Sequence, residues 1–460
     1  MNWKSYSGRN VFAAGVLAAL MSTSVGAQAD GIHRVEADLE AMQAQIRELQ
    51  REVAESKKAA KKDNDLKVKW SGAPELSSKD GNFKMKVRGR LQTDYNAINQ
   101  DRAITGSPSV SAMELRRARL GVQGTVWGDV DYILEADFAN DAVSMKDAYF
   151  KYTGWGKHFA IQVGNFKTFN SLEHLTSSNY IEFLERASFV EAFGLDRQIG
   201  VGLLLTDKHY TLSAGLFGPT TGTEEDFMRD VETGSARLTF APINEEGRVL
   251  HFGGSWRYRD GATENRTNIA PNNDQFFRYR ARGADLHLAN RFVSTPQIFD
   301  QDNFWGVEAA YVHGPWSIQG EYAQLHADVS PLFSGVGLTY RGWYIEGTWF
   351  LTGETRPYKN GAFQRVKVLN PVFEGGHGAW QLAARYDVID LSDNASLIAT
   401  CTMCGNQNTW QLGVNWHLNN HTRLMFNYNQ SDITGGNVGA TNVNDGATIK
   451  GFGARAQVDW

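Results

Sequence analysis

The stretch FKMKVRGRLQTDY, residues 83–95, alternates apolar side chains with charged or polar ones. Successive side chains of a β-strand point to opposite faces, so this stretch has one apolar and one polar face. A strand of this kind fits a wall that meets lipid on one side and water on the other. The closing stretch GFGARAQVDW, residues 451–460, repeats the alternation and ends on an aromatic residue.

Fourteen further segments between these two have strand-like patterns, each close to the roughly 9–11 residues that a tilted spanning strand needs. Open strand edges are not tolerated in hydrocarbon, so the strands must close on themselves. We therefore predict an all-β membrane protein over residues 81–460, a 16-stranded antiparallel transmembrane β-barrel. The fourteen segments are 116–127, 130–140, 145–153, 158–166, 199–206, 209–217, 234–242, 248–259, 304–313, 316–326, 341–351, 378–390, 408–418 and 421–431.

The connections between these segments alternate between tight turns and long loops, as expected for short periplasmic turns and longer external loops. Two connections depart from this alternation. Residues 352–377 are long on the side that should be short, and residues 141–144 are short on the external side.

The N-terminus has the features of a secretory signal peptide. Lys4 and Arg9 precede an apolar run at 11–21, and Ala27-Gln28-Ala29 resembles a cleavage site. We predict that residues 1–29 are removed and that the mature chain lies in the outer membrane of a Gram-negative bacterium. The signal contains two basic and no acidic residues, which leaves 44 basic against 51 acidic residues. This acidic balance argues against nucleic acid as a partner.

A heptad pattern of apolar residues precedes the barrel. Spacings of three and four alternate along 32–53, which predicts a periplasmic coiled-coil helix over 30–62 and a linker at 63–80. We expect the helix to self-associate; packing on the barrel, or contact with the cell wall, are the alternatives. The stripe comprises Ile32, Val35, Leu39, Met42, Ile46, Leu49 and Val53.

The chain has two cysteines, Cys401 and Cys404. Two thiolates cannot make a four-thiolate zinc site, and a small loop disulfide is the expectation for an exported protein. A redox-active pair is less favoured because no βαβ pattern surrounds the cysteines.

Common catalytic motifs are absent from the sequence. It contains no Gly-x-Ser-x-Gly, no His-Glu-x-x-His and no Walker loop, and its eleven histidines show no metal-ligand spacing. We therefore predict that the protein is not an enzyme and requires no cofactor. A barrel enzyme whose site is assembled in space remains an alternative.

The distribution of arginine suggests a charged pore. An arginine facing lipid at the bilayer midplane costs about 2–4 kcal/mol, so strand arginines should face the lumen. In the long segment 260–303, Arg278, Arg280 and Arg282 have alternate spacing, which would place them on one side about 7 Å apart. They could pass an anion along, or could instead pair with loop acids such as Glu264, Asp274 and Asp285. Acidic residues on other inward faces make charge counting alone an unsafe guide to selectivity.

Residues 80–460 resemble the phosphate-selective porin O and P family. Members of that family are sixteen-stranded trimeric outer-membrane porins in which loops folded into the lumen form a constriction. The matching motifs are GRLQTDY (89–95), RRA (116–118), AYFKYTG (148–154), TSS (176–178), LTGETR (351–356) and GVNW (413–416).

The resemblance implies roles for individual residues. Arg90, Arg117, Asp147 and Arg186 match positions at the family's constriction and inner vestibule, and Arg278, Arg280 and Arg282 match its arginine ladder. The family's phosphate-binding lysines beside the TSS motif correspond here to His174 and Asn179. The resemblance therefore implies an anion pore and leaves phosphate specificity open.

Together these observations predict a homotrimeric porin for passive diffusion of small anions, with phosphate or a related oxyanion as the first candidate. Its partners would be outer-membrane lipid, copies of itself and small inorganic anions. Two alternatives remain open at this point. One is a general or weakly cation-selective porin, and the other is a barrel whose helix mainly tethers it to the cell wall or to a partner.

Overall fold

The fold is that of a computed structural model, which describes residues 30–63, 66–70, 72–218, 220–221, 231–261, 276–393, 401–435 and 443–460. The chain divides into two compact units, Met1–Leu66 and Lys67–Trp460. The predicted signal peptide and the loop acids Glu264 and Asp274 lie outside the described residues.

The N-terminal unit contains one long helix, α1 (Asp30–Asp63). Within its apolar stripe, Leu39, Met42, Ile46 and Leu49 are each about half exposed (48–59%). An apolar stripe at heptad spacing that is left uncovered is typical of a helix that pairs with other helices. Among the described residues, no helix is long and apolar enough to cross a membrane.

The second unit is built on sixteen strands of the described chain, each hydrogen-bonded antiparallel to the next. Most run 12–17 residues, whereas β3 to β7 are shorter, at 8–10 residues. They are β1 (Lys84–Gln100), β2 (Val110–Val126), β3 (Val130–Asp137), β4 (Ser144–Tyr152), β5 (Phe159–Lys167), β6 (Arg197–Thr206), β7 (Tyr210–Phe217), β8 (Val231–Glu245), β9 (Arg248–Gly261), β10 (Phe299–His313), β11 (Trp316–Val329), β12 (Gly337–Phe350), β13 (Ala379–Asp390), β14 (Gly405–Asn419), β15 (Thr422–Gly435) and β16 (Thr448–Asp459).

The barrel closes between its last and first strands. β16 pairs with β1 in a register that runs from Ile449 opposite Gln100 to Asp459 opposite Arg90. Closure leaves no open edge in the membrane, where each unpaired backbone group would cost several kcal/mol. The predicted sixteen-stranded antiparallel barrel is confirmed. Within the predicted linker, a short strand at Pro74–Ser78 pairs antiparallel with the N-terminal end of β1.

The strands are apolar outside and more polar inside, as the alternation in the sequence predicts. In β12, Trp343, Ile345 and Trp349 point outward and are 37–48% exposed. Tyr344 and Glu346 lie between them, point inward and are at most 2% exposed. The exposed apolar side chains form the surface that meets lipid.

Stacked tryptophans lie on the outer face where strands meet the short turns. The rings of Trp316 and Trp349 stack at 4.5 Å, and those of Trp380 and Trp416 stack at 4.9 Å. Tryptophan is favoured at the level of the lipid head groups, where one part of the ring system is apolar and the N–H can stay hydrated. These pairs therefore form part of an interfacial girdle.

Two connections fold into the barrel instead of away from it: residues 168–196, and residues 276–298, which are the described part of the connection after β9. Loop 3 (168–196) joins β5 to β6 and contains the short helices α3 (Leu172–Leu175) and α4 (Ser188–Ala192). Loop 5 (262–298) joins β9 to β10, and its strands Arg280–Arg282 and Arg291–Ser294 form a small hairpin, here called the arginine hairpin. A further short helix, α2 (Arg102–Thr105), lies between β1 and β2.

An apolar core holds these loops against the inner wall in the external half of the barrel. Buried aromatic side chains from loops 3 and 5 pack against buried aromatic side chains of the strands. Aromatic pairs of this kind each contribute about 0.5–1.5 kcal/mol beyond their area. The loop members include Phe189, Phe193, Tyr279 and Phe292, and the wall members include Phe304, Tyr340 and Tyr344.

The connection 352–378 is long because it also folds inward, from the side of the short turns; we call it the inward turn. It forms a hairpin from Tyr358–Lys359 and Ala362–Phe363. The carbonyl of Gly361 accepts a hydrogen bond from the inner-face Arg237 at 2.7 Å, and Phe363 is buried. The departure from the turn-and-loop alternation in the sequence therefore marks a segment that fills part of the lumen.

Candidate functional site

A bulge in β2 places two consecutive arginines on the inner face of the barrel. Thr93 of β1 pairs with Leu115 and Gln92 pairs with Arg117, so Arg116 has no partner of its own. An extra residue in one strand shifts the alternation of side chains, and both Arg116 and Arg117 consequently point inward. Alternation in the sequence predicted the inward position of Arg117 but not that of Arg116.

The carboxylate of Glu185 in loop 3 is the common partner of these arginines. Arg116 binds it with two hydrogen bonds, Arg117 approaches it at 3.4 Å and Arg455 at 3.1 Å. Burial alone would raise the pKa of Glu185, but the three guanidinium groups hold it well below its usual range. Loop 3 is therefore fixed to the wall by one anionic group among three cationic ones, with Asp94 as a second partner of Arg455.

Three cations converge on the Thr176-Ser177-Ser178 motif of loop 3. Arg90 Nη1 donates to Ser178 Oγ at 2.5 Å, and Arg186 Nη2 donates to the carbonyl of Thr176 at 2.8 Å. Lys167 Nζ also donates to the carbonyl of Thr176, at 3.4 Å. We call Arg90, Lys167 and Arg186 the loop 3 cation group.

Carboxylates compensate this group only weakly. Within the described part of the chain, the one ion pair that the group makes is between Arg90 and Glu135, at 3.9 Å. Burial lowers the pKa of Arg186 to about 10, so its guanidinium remains a cation at neutral pH. The motif is thus surrounded by positive charge whose hydrogen bonds go to hydroxyl and carbonyl oxygens.

The positions that correspond to the family's lysines are occupied by neutral, packed groups. His174 is 3% exposed, and its backbone N–H donates to Ser171 Oγ at the start of α3. The carbonyl of Asn179 accepts a hydrogen bond from Gln457. Lys167 comes from the end of β5 and brings an amino group to the same motif, which motif matching did not predict.

Asp147 is bound to Arg197 on the neighbouring inner wall. Arg197 Nε and Nη2 reach the two carboxylate oxygens of Asp147 at 2.9 and 3.0 Å. A bidentate pair of this kind fixes the orientation of both side chains. Asp147, which the resemblance matches to the family's constriction and inner vestibule, thus has Arg197 as its partner.

The arginine hairpin and the preceding Arg278 bring four guanidinium groups together. Arg282 lies opposite Arg291 in the register, and both contact Glu191 of loop 3, at 3.3 and 2.5 Å respectively. Arg278 and Arg280 make no ion pair with any described residue. Partial burial and the neighbouring Arg291 and Arg278 lower the pKa of Arg280 to about 10, which leaves it charged at neutral pH.

Among the residues that the structure describes, Asp285 forms no ion pair with the arginines of the hairpin, although the sequence left that pairing open as an alternative. The carboxylate of Asp285 is buried and accepts hydrogen bonds from Ser188 Oγ at 2.7 Å and from Gln411 Nε2 at 2.5 Å. Burial, together with the nearby Asp387, raises the pKa of Asp285 well above its usual range. Asp285 therefore joins loop 5 to loop 3 and to the wall of the barrel.

Most other inner-face arginines are paired with carboxylates and serve the architecture. Buried pairs of this type hold two elements together, since removing one partner leaves an uncompensated buried charge. The pairs are Arg119 with Asp137, Arg237 with Glu308, Arg257 and Arg259 with Asp302, Arg385 with Glu346, and Arg455 with Asp94.

Arg356 fixes the inward turn to loop 3. Its Nε lies 2.6 Å from a carboxylate oxygen of Glu182, and its guanidinium lies 3.8 Å from the centre of the Phe363 ring. Arg356 ends the LTGETR motif, to which the sequence assigned no role.

Motif matching missed Arg291 and Glu185 as well as Lys167 and Arg356. Arg291 could have been found from the sequence, because Gly283 begins a turn that allows the chain after Arg282 to run back beside it. Glu185 could have been suspected because it precedes Arg186 in an apolar stretch. No group of three metal-ligating side chains is present in the described ranges.

Comparison with known proteins gives a consistent family assignment. The family model for phosphate-selective porin O and P matches residues 85–460. Porin O of Pseudomonas aeruginosa is 30% identical over 390 residues, which cover 79% of this chain and 86% of that protein. An uncharacterized protein of Caulobacter vibrioides is 31% identical over 409 residues, covering 85% of this chain and 77% of that protein.

Solved structures share the fold at low sequence identity. The anion-selective porin from Comamonas acidovorans has a TM-score of 0.53 at 13% identity and covers 82% of this chain and 100% of that one. OmpTdeltaL8, a loop L8 deletion mutant of the Vibrio cholerae outer membrane protein OmpT, has a TM-score of 0.51 at 13% identity, covering 82% and 99%. The chain belongs to the phosphate-selective porin O and P family and forms a porin channel in the outer membrane of a Gram-negative bacterium.

Proposed function

We propose that this channel passes small anions, with phosphate or a related oxyanion as the preferred class, and that two arginine-rich sites provide the selectivity. The observation that carries the proposal is the uneven pairing of cations inside the barrel. Most strand arginines elsewhere on the inner face have carboxylate partners, whereas Arg278, Arg280 and Arg186 have none among the described residues. Arg423 is an exception on the wall, where it donates to the carbonyl of Ile181 in loop 3 and to Gln457. Cations without a carboxylate partner therefore lie in loop 5 and beside the Thr176-Ser177-Ser178 motif of loop 3.

The arginine hairpin is the proposed entry site. Its guanidinium groups stay charged and can bind oxyanions through two parallel hydrogen bonds. Alternate residues of a strand are about 7 Å apart, so Arg278, Arg280 and Arg282 offer successive sites of similar strength. Conduction requires several weak sites, and a single deep site would trap the ion.

The loop 3 cation group is the proposed second site. Arg90, Lys167 and Arg186 surround the Thr176-Ser177-Ser178 motif, whose hydroxyl groups can also donate hydrogen bonds to an anion. Arg117 would line the same constriction, and Asp147 would orient Arg197 beside it. Support for phosphate comes from the description of the family and from Porin O, while His174 and Asn179 leave other oxyanions as candidates.

Phosphate block of chloride current through single channels tests this proposal. A channel with weak oxyanion sites should conduct chloride, and phosphate should reduce that current with a saturating dependence on its concentration. Sulfate, tested in parallel, would show whether the sites distinguish oxyanions. Chloride current that is unaffected by phosphate and sulfate would refute the selectivity for oxyanions and favour a general porin.

We further propose that the channel is a homotrimer and that α1 forms a coiled coil in the periplasm. The exposed heptad stripe supports this assembly, because each copy leaves its apolar residues half exposed. Residues 1–29 would be removed on export. The alternative, a helix that grips the cell wall, predicts that deleting residues 30–62 abolishes cell-wall binding while trimer stability remains unchanged.

A further inference from the structure

A disulfide lies beside the arginine hairpin, in the loop that joins β13 to β14. Cys401 and Cys404 are bonded to each other and enclose a turn of four residues. Both side chains are buried, at 3% and 1% exposure. No element of the proposed anion pathway described above makes use of this bond.

The disulfide turn is hydrogen-bonded to the outer strand of the arginine hairpin. The backbone N–H of Ser294 donates to the carbonyl of Met403 at 2.9 Å. The sulfur of Cys401 packs 3.7 Å from the carbonyl oxygen of Ser294, a contact and not a hydrogen bond because a disulfide sulfur carries no proton. Ser294 is the residue directly opposite Arg280 in the hairpin.

The same turn is also held from the other side. The backbone N–H of Val443, in the loop before β16, donates to the carbonyl of Thr402 at 3.0 Å. The next residue, Asn444, donates through its side chain to the carbonyl of Phe292 in the hairpin at 3.1 Å. The disulfide turn is therefore hydrogen-bonded both to the arginine hairpin and to the loop before β16. That loop is also hydrogen-bonded directly to the hairpin, through Asn444.

The disulfide turn adds to the support that the hairpin receives from the apolar core, in which Ala281, Phe292 and Val293 are buried. The strands of the hairpin are three and four residues long, and an isolated two-stranded hairpin is marginally stable in water even at greater length. It also concentrates like charges on Arg280, Arg282 and Arg291, which repel one another. Without a fixed acceptor for the N–H of Ser294, this repulsion would favour separation of the two short strands.

We propose that the Cys401–Cys404 disulfide is a positioning element of the anion pathway. By closing the four-residue turn it fixes the direction of the Met403 carbonyl, which holds Ser294 and, through the hairpin register, sets the position of Arg280. The cysteines do not touch the anion. The inference rests on the proposed role of the hairpin as an anion site, and its test separates the two.

The test compares the wild-type channel with C401S/C404S by phosphate block of single-channel chloride current. The phosphate concentration for half block should rise at least about threefold in the variant, because binding groups that are loosely held lose affinity. The chloride conductance at saturating salt and the melting temperature of the barrel should stay near the wild-type values. A purely structural role would lower the melting temperature and leave the half-block concentration unchanged, which would overturn the proposal.

D393N is the matched control in the same loop. Asp393 accepts the backbone N–H of Thr339 in β12 at 2.7 Å. The phosphate concentration for half block of the D393N channel should equal that of the wild-type channel. If D393N weakens phosphate block as much as C401S/C404S does, the weaker block results from a disturbance of the whole loop and not from the loss of the disulfide.

Reduction of the wild-type channel provides a second measurement that does not depend on folding of the variant. A dithiol such as dithiothreitol donates two electrons and two protons to the bond, giving two thiols and its own cyclic disulfide. Reductant is increased until a maleimide labels both cysteines, and block is then measured. Weaker phosphate block supports the proposal, and unchanged block overturns it. Absence of any block in the untreated channel would refute the hairpin as an anion site instead.

Discussion

Arg116 donates two hydrogen bonds to the carboxylate of Glu185, at 2.7 and 2.9 Å, and thereby joins a bulge in the barrel wall to loop 3. Arg117 and Arg455 approach the same carboxylate, so Glu185 is shared by three cations, of which Arg455 is also paired with Asp94. The position of loop 3, and with it that of the loop 3 cation group, depends on this side chain.

Replacing Glu185 with Gln should destabilise the barrel. The substitution leaves Arg116, Arg117 and Arg455 without their shared counter-charge, and removing one partner from a largely buried pair costs about 3–5 kcal/mol. Unfolding of the detergent-solubilised protein in denaturant measures the change. E191Q is the control, because the Glu191 side chain is 46% exposed and its pairs should contribute less than about 1 kcal/mol. Equal stabilities for E185Q and E191Q would contradict this account.

Stability should also depend on pH through Glu185. The pKa of Glu185 is lower in the folded protein than the ordinary value of about 4.3 for an unfolded chain. Its ionised form therefore stabilises the fold fully above that ordinary value, and the contribution is lost as the pH falls toward the folded pKa. E185Q should show a smaller loss of stability between about pH 5 and pH 2 than the wild type. Parallel stability curves for the two proteins would exclude this linkage.

Neutralising Arg280 and Arg282 together should lower anion flux at low substrate concentration. Arg280 has no ion pair among the described residues, so its loss removes a free binding group without exposing a buried acid. We expect the phosphate concentration at half-maximal flux to rise by about fivefold or more in R280A/R282A, since each charged hydrogen bond contributes about 1.5–3 kcal/mol before desolvation. R248A is the control, because Arg248 is the first residue of β9 and its side chain is exposed, where it pairs with Glu245. Uptake kinetics that match those of R248A would count against the hairpin as an anion site.

Replacing Arg90 with Gln should shift selectivity toward cations with little loss of stability. Glu135 would still be paired with Arg88 and Arg119, both at 3.1 Å, so no buried acid would be left alone. The ratio of chloride to potassium permeability should fall by about twofold or more, because the local field of a confined pore depends on single charges. R341Q is the matched control, since Arg341 lies on the outer face of the barrel. A ratio that is unchanged in R90Q, or changed equally in R341Q, would remove Arg90 from the constriction.

Charges introduced into the heptad stripe should weaken the trimer and leave the pore intact. Ile46 and Leu49 occupy seam positions of α1, so I46E/L49E would bury like charges in a coiled coil. Cross-linking of the mature protein in membranes should show fewer trimers, with unchanged single-channel conductance. A41E/A44E adds the same charge outside the seam and is the control. Equal trimer yields for the two variants would contradict self-association of α1.

The sequence predicted the barrel well because alternation between lipid and water faces is a local property. Residues 83–95 have this pattern without interruption, and all sixteen predicted strands are present. It could not place Arg116, because a bulge reverses the alternation and depends on the partner strand. The sequence showed that the connection 352–377 is unusually long. It did not predict that this connection folds inward, because the inward fold depends on contacts with Arg237 and loop 3.

The sequence predicted which residues belong to the site better than it predicted how those residues are arranged. Arg278, Arg280 and Arg282 were found by spacing and resemblance, whereas their relation to Arg291 and Glu191 arises from a turn and from a separate loop. Which arginines lack carboxylate partners can only be known once distant segments are brought together. Arginines that lack an ion pair among the described residues, and not arginine number, distinguish the two proposed sites from most of the lumen.

Anion selectivity is the central claim, and the reversal potential of the wild-type channel tests it most directly. With a potassium chloride gradient across a planar bilayer at neutral pH, the current should reverse at a potential whose sign corresponds to chloride passing more readily than potassium. Adding phosphate to one side should then reduce the chloride current. A reversal potential of the opposite sign, showing preference for potassium, would contradict the account.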